Sequence, residues 1–217
     1  MLPRTLMARS RPGDTTLQRH ASFFDDNGDR GVDVAECTLG LKALGLPFGV
    51  AEAAALAIVA PLSIQTRGSL LALNIDIDSI QKGKHDSDTA ILDKRGRFNA
   101  VRFQKAFGAC STVDRNGDKA VTASELTRMI HANRKTLAGS LVSMIEWRVL
   151  LALAADTTAI ERGKPVPALS VGRIKAFYDG TLFYTLAKER RQREGYEASG
   201  KGNRKGVGPK RTKGESS

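Results

Sequence analysis

Asp25, Asn27, Asp29, Gly31, Asp33 and Glu36 stand at positions one, three, five, seven, nine and twelve of a single twelve-residue window. A chain can wrap a hard divalent cation when oxygen-bearing side chains recur at one, three, five and nine, a main-chain carbonyl serves at seven, and a bidentate Glu closes the loop at twelve. That spacing is an EF-hand loop for Ca2+, and it demands a helix on either side. The entering helix is visible in Leu17, Ala21 and Phe24, which recur at helical spacing. Val32 takes position eight, where an apolar residue can form a short bridge to a second loop. Position six departs from the pattern. The loop turns sharply there and Gly is the rule, but Arg30 must take the bend at a steric cost, so calcium affinity is expected to be weakened and not lost. The plain alternative is an acidic surface turn that binds nothing, and six matching positions weigh against it.

The pattern returns at Asp114, Asn116, Asp118, Ala120 (through its carbonyl), Thr122 and Glu125, with Val121 at position eight and Lys119 at position six. Phe103 and Phe107 lie one turn apart on the helix leading in, and Leu126, Met129 and Ile130 continue as a helix leading out. Because such loops work in pairs, Val32 and Val121 are expected to bridge. Thr122 replaces an acid, leaving three acidic ligands against four in the first loop, so this is the weaker site.

Charge is uneven along the chain. Of a formal +11, residues 1 to 19 carry +3 and residues 188 to 217 carry +6, which leaves +2 for the body. The basic character belongs to the ends, which suit an anionic membrane surface, nucleic acid or no partner at all about equally; no specific nucleic acid is expected. The two cysteines, Cys37 and Cys110, have neither disulfide nor metal-ligand spacing and read as small buried residues of a reducing, cytosol-facing protein. The first fourteen residues lack the apolar core of a secretory signal.

From 39 to 73 the chain is at its most apolar, with Glu52 the only charge between Lys42 and Arg67. Its longest uncharged run, Ala53 to Thr66, falls short of the roughly 20 residues that span a bilayer. Pro47 and Pro61 interrupt any helix, which favours a short helix or hairpin lying on a membrane surface, with a buried core helix as the alternative. Leu137 to Ala155 is helical in period. Pro165 and Pro167 precede a helix start at Ser170, and Asp179-Gly180 separates two helices rich in aromatic residues. The expected fold is mainly α: EF-hand helix–loop–helix units with an inserted apolar, helical, membrane-associating segment. Its parts are a flexible basic N-terminus 1–14, a domain 15–187 containing loops 25–36 and 114–125 and C-terminal helices 137–187, and a disordered basic tail 188–217.

Order and wording then resemble one family. LQRHASFFDDNGD, KGKHDSDTAILDKRGRF, IEWRVLLALAAD and FYDGTLFYTLAKER, in that order, are similar to four landmarks of the caleosins, calcium-binding haem peroxygenases of lipid droplets. The resemblance implies that His20 and His85 attach haem b and carry the catalysis, that the loop at Asp25 to Glu36 binds Ca2+, and that the apolar middle docks on a lipid-droplet or endoplasmic-reticulum surface facing the cytosol. It implies oxygen transfer from a fatty-acid hydroperoxide to an unsaturated lipid or similar acceptor, and a homo-oligomer is compatible with it. Two places depart from the family. The clustered proline knot is reduced to Pro47 and Pro61, so a soluble cytosolic pool is expected beside the droplet-bound one, and the second loop is nearly complete, so two calcium ions are expected.

From spacing alone, His20 shares a stripe with Leu17 and Phe24 and reads as a core histidine, and His85, among Lys82, Lys84, Asp86 and Asp88, as a solvated one. Asp86 could hold the His85 imidazole, and Lys82 or Lys84 could face a haem propionate. If both histidines bound iron permanently the reactive face would be blocked, so one dissociates or serves as a distal acid or base. His131 reads as a surface residue. The rival classes are a non-catalytic calcium-dependent coat or tether on lipid droplets, and a soluble calcium sensor with a basic tail.

Overall fold

A computed structural model of the protein describes residues 10–83, 91–93, 95–108, 112–114, 116–133 and 137–203; His85 and Cys110 lie outside them. The elements run α1 (Thr16–Ser22), β1 (Gly31–Asp33), α2 (Val34–Leu44), α3 (Phe48–Arg67), β2 (Asn74–Asp76), a 3-10 helix (Ile77–Gly83), α4 (Ala100–Gly108), β3 (Ala120–Thr122), α5 (Ala123–Asn133), α6 (Leu137–Ala154), β4 (Thr157–Glu161), β5 (Lys164–Ser170), α7 (Val171–Asp179) and α8 (Leu182–Asn203). The mainly α expectation holds.

Helix ends follow local chemistry. Thr15 caps α1 in a capping box with Gln18, and Asp33 caps α2 in another with Glu36, so the last two ligand positions of the first loop also start a helix. Ser170 caps α7 by accepting from the Arg173 amide, and Gly180 ends α7 in the left-handed conformation.

The strands pair differently from expectation. Val32 bridges Ile75 in the antiparallel pair β1–β2, and Val121 bridges Leu169 in the sheet β3–β5–β4. The chain therefore forms two pairs of helix–loop–helix units: α1 and α2 flank loop 25–36, which pairs with the loop between α3 and the 3-10 helix. Arg30 (φ 70°) and Leu73 (φ 40°) each stand two residues before the paired Val32 and Ile75, so both loops make the same left-handed bend at the same place.

Three further expectations are corrected. α3 runs unbroken through Pro61. The proline frees the carbonyl of Ala57 one turn earlier, and Ala57 is small and exposed, so water satisfies that carbonyl and the ring meets little resistance. At 20 residues α3 is long and apolar enough, by composition, to cross a bilayer, yet Ala51, Ala55, Val59 and Leu62 are buried with Cys37 and Leu41 of α2 in one core. Among the C-terminal helices stands a β-hairpin, whose Pro165 and Pro167 lie in β5 beyond the three residues that pair with β3, where a missing N–H costs no ladder bond on that edge. The expected boundary at 188 also moves. α8 runs from Leu182 to Asn203, and its first half is tied down where Glu189 accepts a bidentate pair from Arg173 of α7 and Arg190–Glu194 adds support one turn on.

Two cores result, one in the first pair of units and one that gathers Phe103, Phe107, Val121, Leu126, Leu169, Ile174 and Leu182 in the second. Phe24 and Leu153 pack against both. Gly40 makes this possible, since a Cβ there would run into the Phe24 ring.

Candidate functional site

Between the two cores lies an apolar cavity of about 280 Å³. Leu17, His20 and Ala21 of α1, with Phe24 just after it, form one wall and Cys37 and Leu41 of α2 another. Ile58 and Leu62 of α3, Ile75 and Ile80, and Val149, Leu150 and Leu153 of α6 close the rest. Aromatic rings surround the histidine. The His20 ring lies 4.7 Å from Phe177 and 5.4 Å from Phe183, with Phe23, Phe24, Tyr184 and Trp147 in contact behind them.

His20 is held in one tautomer. Its ring bonds the backbone of Phe177, and since Nε2 has no partner among the described residues, the bonded atom is Nδ1, donating to the Phe177 carbonyl. Burial drives its pKa down to about 4, against smaller opposing effects of that bond and of Asp179. The imidazole is thus neutral at pH 7, with a buried lone pair on Nε2. An unmet acceptor in an apolar cavity costs free energy unless something fills it. That orphaned nitrogen fits a haem iron, which takes a neutral imidazole whose other nitrogen donates to a carbonyl.

The cavity has four other polar side chains among the described residues. Glu146 and Trp147 come from α6 and Tyr178 from α7, while the Cys37 thiol is pushed up to about 12, by burial first and Asp33 second. Sequence reasoning assigned none of them a role; the aromatic cluster around Asp179-Gly180 and the polar edge at Glu146-Trp147-Arg148 were the available signals.

The first loop is tightly knit. Asp25, almost fully buried, accepts from the amides of Gly28 (2.7 Å) and Arg30 (3.2 Å). Glu36 accepts through Oε1 from Asp26 and Asn27 and through Oε2 from Asp33, and Asp29 accepts from Gly31. Burial, with the Asp33 and Asp25 carboxylates nearby, holds the Glu36 pKa above the ordinary carboxylate value. These carboxylates face the loop's own amides, and among the described residues no three His, Cys, Asp or Glu side chains converge as a metal cluster. The donor set of Asp25, Asn27, Asp29, Asp33, Glu36 and the Gly31 carbonyl nonetheless has the oxygen chemistry of a calcium loop. Arg30 is buried, and its guanidinium bonds Asp14, Asp78 and Ser22.

The second loop is built otherwise. Lys119 is not left-handed; it bridges Val113, and its ammonium donates to the Gly108 carbonyl. Asp114 accepts from the Asn116 and Asp118 amides and from the Thr157 hydroxyl (2.8 Å), which above all lowers its pKa. The hydroxyls of Thr122 and Ser124 donate to Glu161 of β4, and Glu125 accepts from the Thr112 and Thr122 amides. Ala120 lies fully buried in β3.

The fold and the site are those of a mainly helical protein with an apolar cavity between its two cores, fronted by one neutral imidazole. A family model described as Caleosin related protein matches residues 13–187, and the chain belongs to the caleosin family. It is 34% identical over 182 residues to "Probable peroxygenase 4" of Arabidopsis thaliana, covering 82% of this chain and 88% of that one. It is 30% identical over 184 residues to "Peroxygenase" of Lilium longiflorum, covering 82% and 72%. A third relative, "Probable inactive peroxygenase-like protein" of Arabidopsis thaliana, is 32% identical over 104 residues, covering 47% and 45%. No solved structure matches the chain.

Proposed function

We propose that the protein is a haem-dependent peroxygenase that transfers oxygen from a fatty-acid hydroperoxide to an unsaturated lipid. The observation that carries this reading is His20, with Nδ1 tied to the Phe177 carbonyl and Nε2 unpartnered among the described residues on the wall of an apolar cavity. The two relatives named as peroxygenases supply the reaction class. When bound, haem would supply the iron chemistry that cleaves the hydroperoxide O–O bond. His20 holds it, Phe177 fixes the imidazole's angle, and Phe183 packs on the ring. The aliphatic wall of Leu41, Ile58, Leu62 and Ile75 excludes water and suits an acyl chain. His85 is assigned to the same site on the family resemblance, and Gly83, two residues before it, lines the cavity. A Soret band in the purified, haem-supplemented protein tests the reading. A colourless protein would favour the coat or sensor class instead.

The paired units are read as EF-hands, each near-complete loop matched with one that lacks ligands. Ca2+ is assigned first to Asp25–Glu36, the loop with more carboxylates and the left-handed bend. At Asp114–Glu125, Thr157 and Glu161 compete for ligand groups of Asp114 and Thr122. Glu36→Gln is expected to remove the tighter calcium site in calorimetry, and a tighter site that survives in this variant would reverse the order. α1 leads from His20 into this loop and α2 leads from it to Cys37 and Leu41, so an occupied loop steadies two walls of the cavity.

The outer face of α3 and the loop after it expose Phe48, Val50, Leu56, Ile64, Leu70, Leu71 and Leu73, and Leu71 is 95% exposed. That surface suits peripheral docking on a lipid droplet or the cytosolic face of the endoplasmic reticulum. Leu71→Glu should lower the fraction that floats with lipid droplets, and unchanged flotation would place the contact elsewhere.

A further inference from the structure

Oxygen transfer makes a demand that His20 does not meet. In going from ROOH and an alkene to ROH and an epoxide, the O–O bond breaks, the terminal oxygen joins the two alkene carbons, and its proton moves to the departing alkoxy oxygen. The hydroperoxide is reduced by two electrons and the alkene oxidised by two. Something inside the cavity must take that proton and return it one atom away.

The described cavity wall holds few groups able to do so. His20 has one nitrogen on the Phe177 carbonyl and the other reserved for iron. The Trp147 indole donates and cannot accept. The Cys37 thiol is almost fully buried in the first core, cut off from the solvent with which it would have to exchange a proton. The Tyr178 phenol carries its own proton and brings no carboxylate to the site. Glu146 is the one carboxylate among the described lining residues. It stands on α6 beside Trp147, whose ring lies 5.4 Å from Phe177, itself 4.7 Å from the His20 ring. It therefore lines the cavity from α6, a different wall than the imidazole on α1. Glu146 is only half-buried, so it meets both the cavity and solvent.

On the haem reading above, and with His85 taken as a histidine that serves the iron and not as the distal base, we propose that Glu146 is the proton-transfer residue of this site, taking the hydroperoxide proton and delivering it to the alkoxy oxygen. The test uses the full-length, haem-loaded protein and cyanide as a probe. Cyanide arrives as HCN and binds ferric iron as the anion, so its association reports a proton acceptor near the iron without any turnover. Glu146→Gln should keep the wild-type haem content and Soret band. Its cyanide association and hydroperoxide-dependent epoxidation should both fall by on the order of a hundredfold. Glu146→Asp, which keeps the carboxylate, should recover roughly a tenth or more of the wild-type rates. Rates within twofold of wild type in haem-loaded Glu146→Gln would overturn the assignment. Loss of haem from that variant would overturn it too, since Glu146 would then be structural. A wild-type protein without a Soret band would bring down the haem reading, and this assignment with it.

Discussion

His20→Ala is expected to leave the protein without bound haem and to reduce hydroperoxide-dependent oxygen transfer by on the order of a hundredfold or more, since losing even an outer-shell partner of a ligand costs about 10- to 100-fold. Around His20, the described cavity wall is aliphatic or aromatic on α1, and burial keeps the Cys37 thiol of α2 protonated, so no neighbour there can readily replace the imidazole. His131→Ala, at an exposed position on α5, should retain both properties. A second consequence is visible without haem. The His20 pKa in the folded protein, about 4, lies below the 6.5 of an unfolded chain, so the unfolded state takes up the proton first as the pH falls. The stability that neutral His20 allows is complete above pH 6.5 and is lost progressively toward pH 4. Between pH 7 and 4.5 this is roughly 2 kcal/mol. Urea unfolding of haem-free wild type and His20→Ala at those two pH values should differ in pH dependence by about that amount. Equal pH dependence, or full haem occupancy in the variant, would remove His20 from the site.

Arg30→Gly should destabilise the protein even though glycine is the residue a calcium loop wants at that bend. Relief of the left-handed backbone at φ 70° gains roughly 1 kcal/mol. Against this stands the guanidinium, which bonds Asp14 at 3.1 and 3.2 Å, Asp78 at 2.6 and 3.0 Å and the Ser22 hydroxyl at 3.2 Å. The Asp78 half is exposed, with side-chain accessibility of 61%, and contributes under about 1 kcal/mol. The Asp14 half is not: its side chain is 7% exposed, and stripping the partner from a buried carboxylate costs about 3–5 kcal/mol. The loss wins by about 2–4 kcal/mol, which for a chain of this size lowers the melting temperature by roughly 5–10 °C. Calorimetric melting of the variant at or above wild type would mean that the clamp is worth less than the strain.

The same arginine marks the limit of local reading. Its place at the bend, the Asp33 and Ser170 caps, the Gly180 stop and the Phe103–Phe107 stripe were all legible, because each depends on residues within a turn of one another. The clamp was not, since Asp14 and Asp78 are 16 and 48 residues away from Arg30. Nor was the partner of Val32. The next window of recurring oxygen donors points to Val121, whereas the strand that pairs with Val32 is Asn74–Asp76, in a loop with Gly68, Leu70 and Ala72 where the first three side-chain ligands would stand. Three-residue strands have too little periodicity to announce themselves.

What the sequence by itself determined was the family landmarks, the order of oxygen-bearing residues in both loops, the helix start at Ser170 and the stop at Gly180, since these are properties of residue type and short spacing. Tertiary structure decided what those residues do to one another. It carried α3 through Pro61, placed Glu161 on the second loop, and brought α1, α6 and α7 together so that a histidine on an apolar helical stripe became a neutral imidazole aimed at a cavity. Its lone pair is orphaned only because helices from both halves of the chain exclude water around it, and no spacing within α1 encodes the company that α6 and α7 keep.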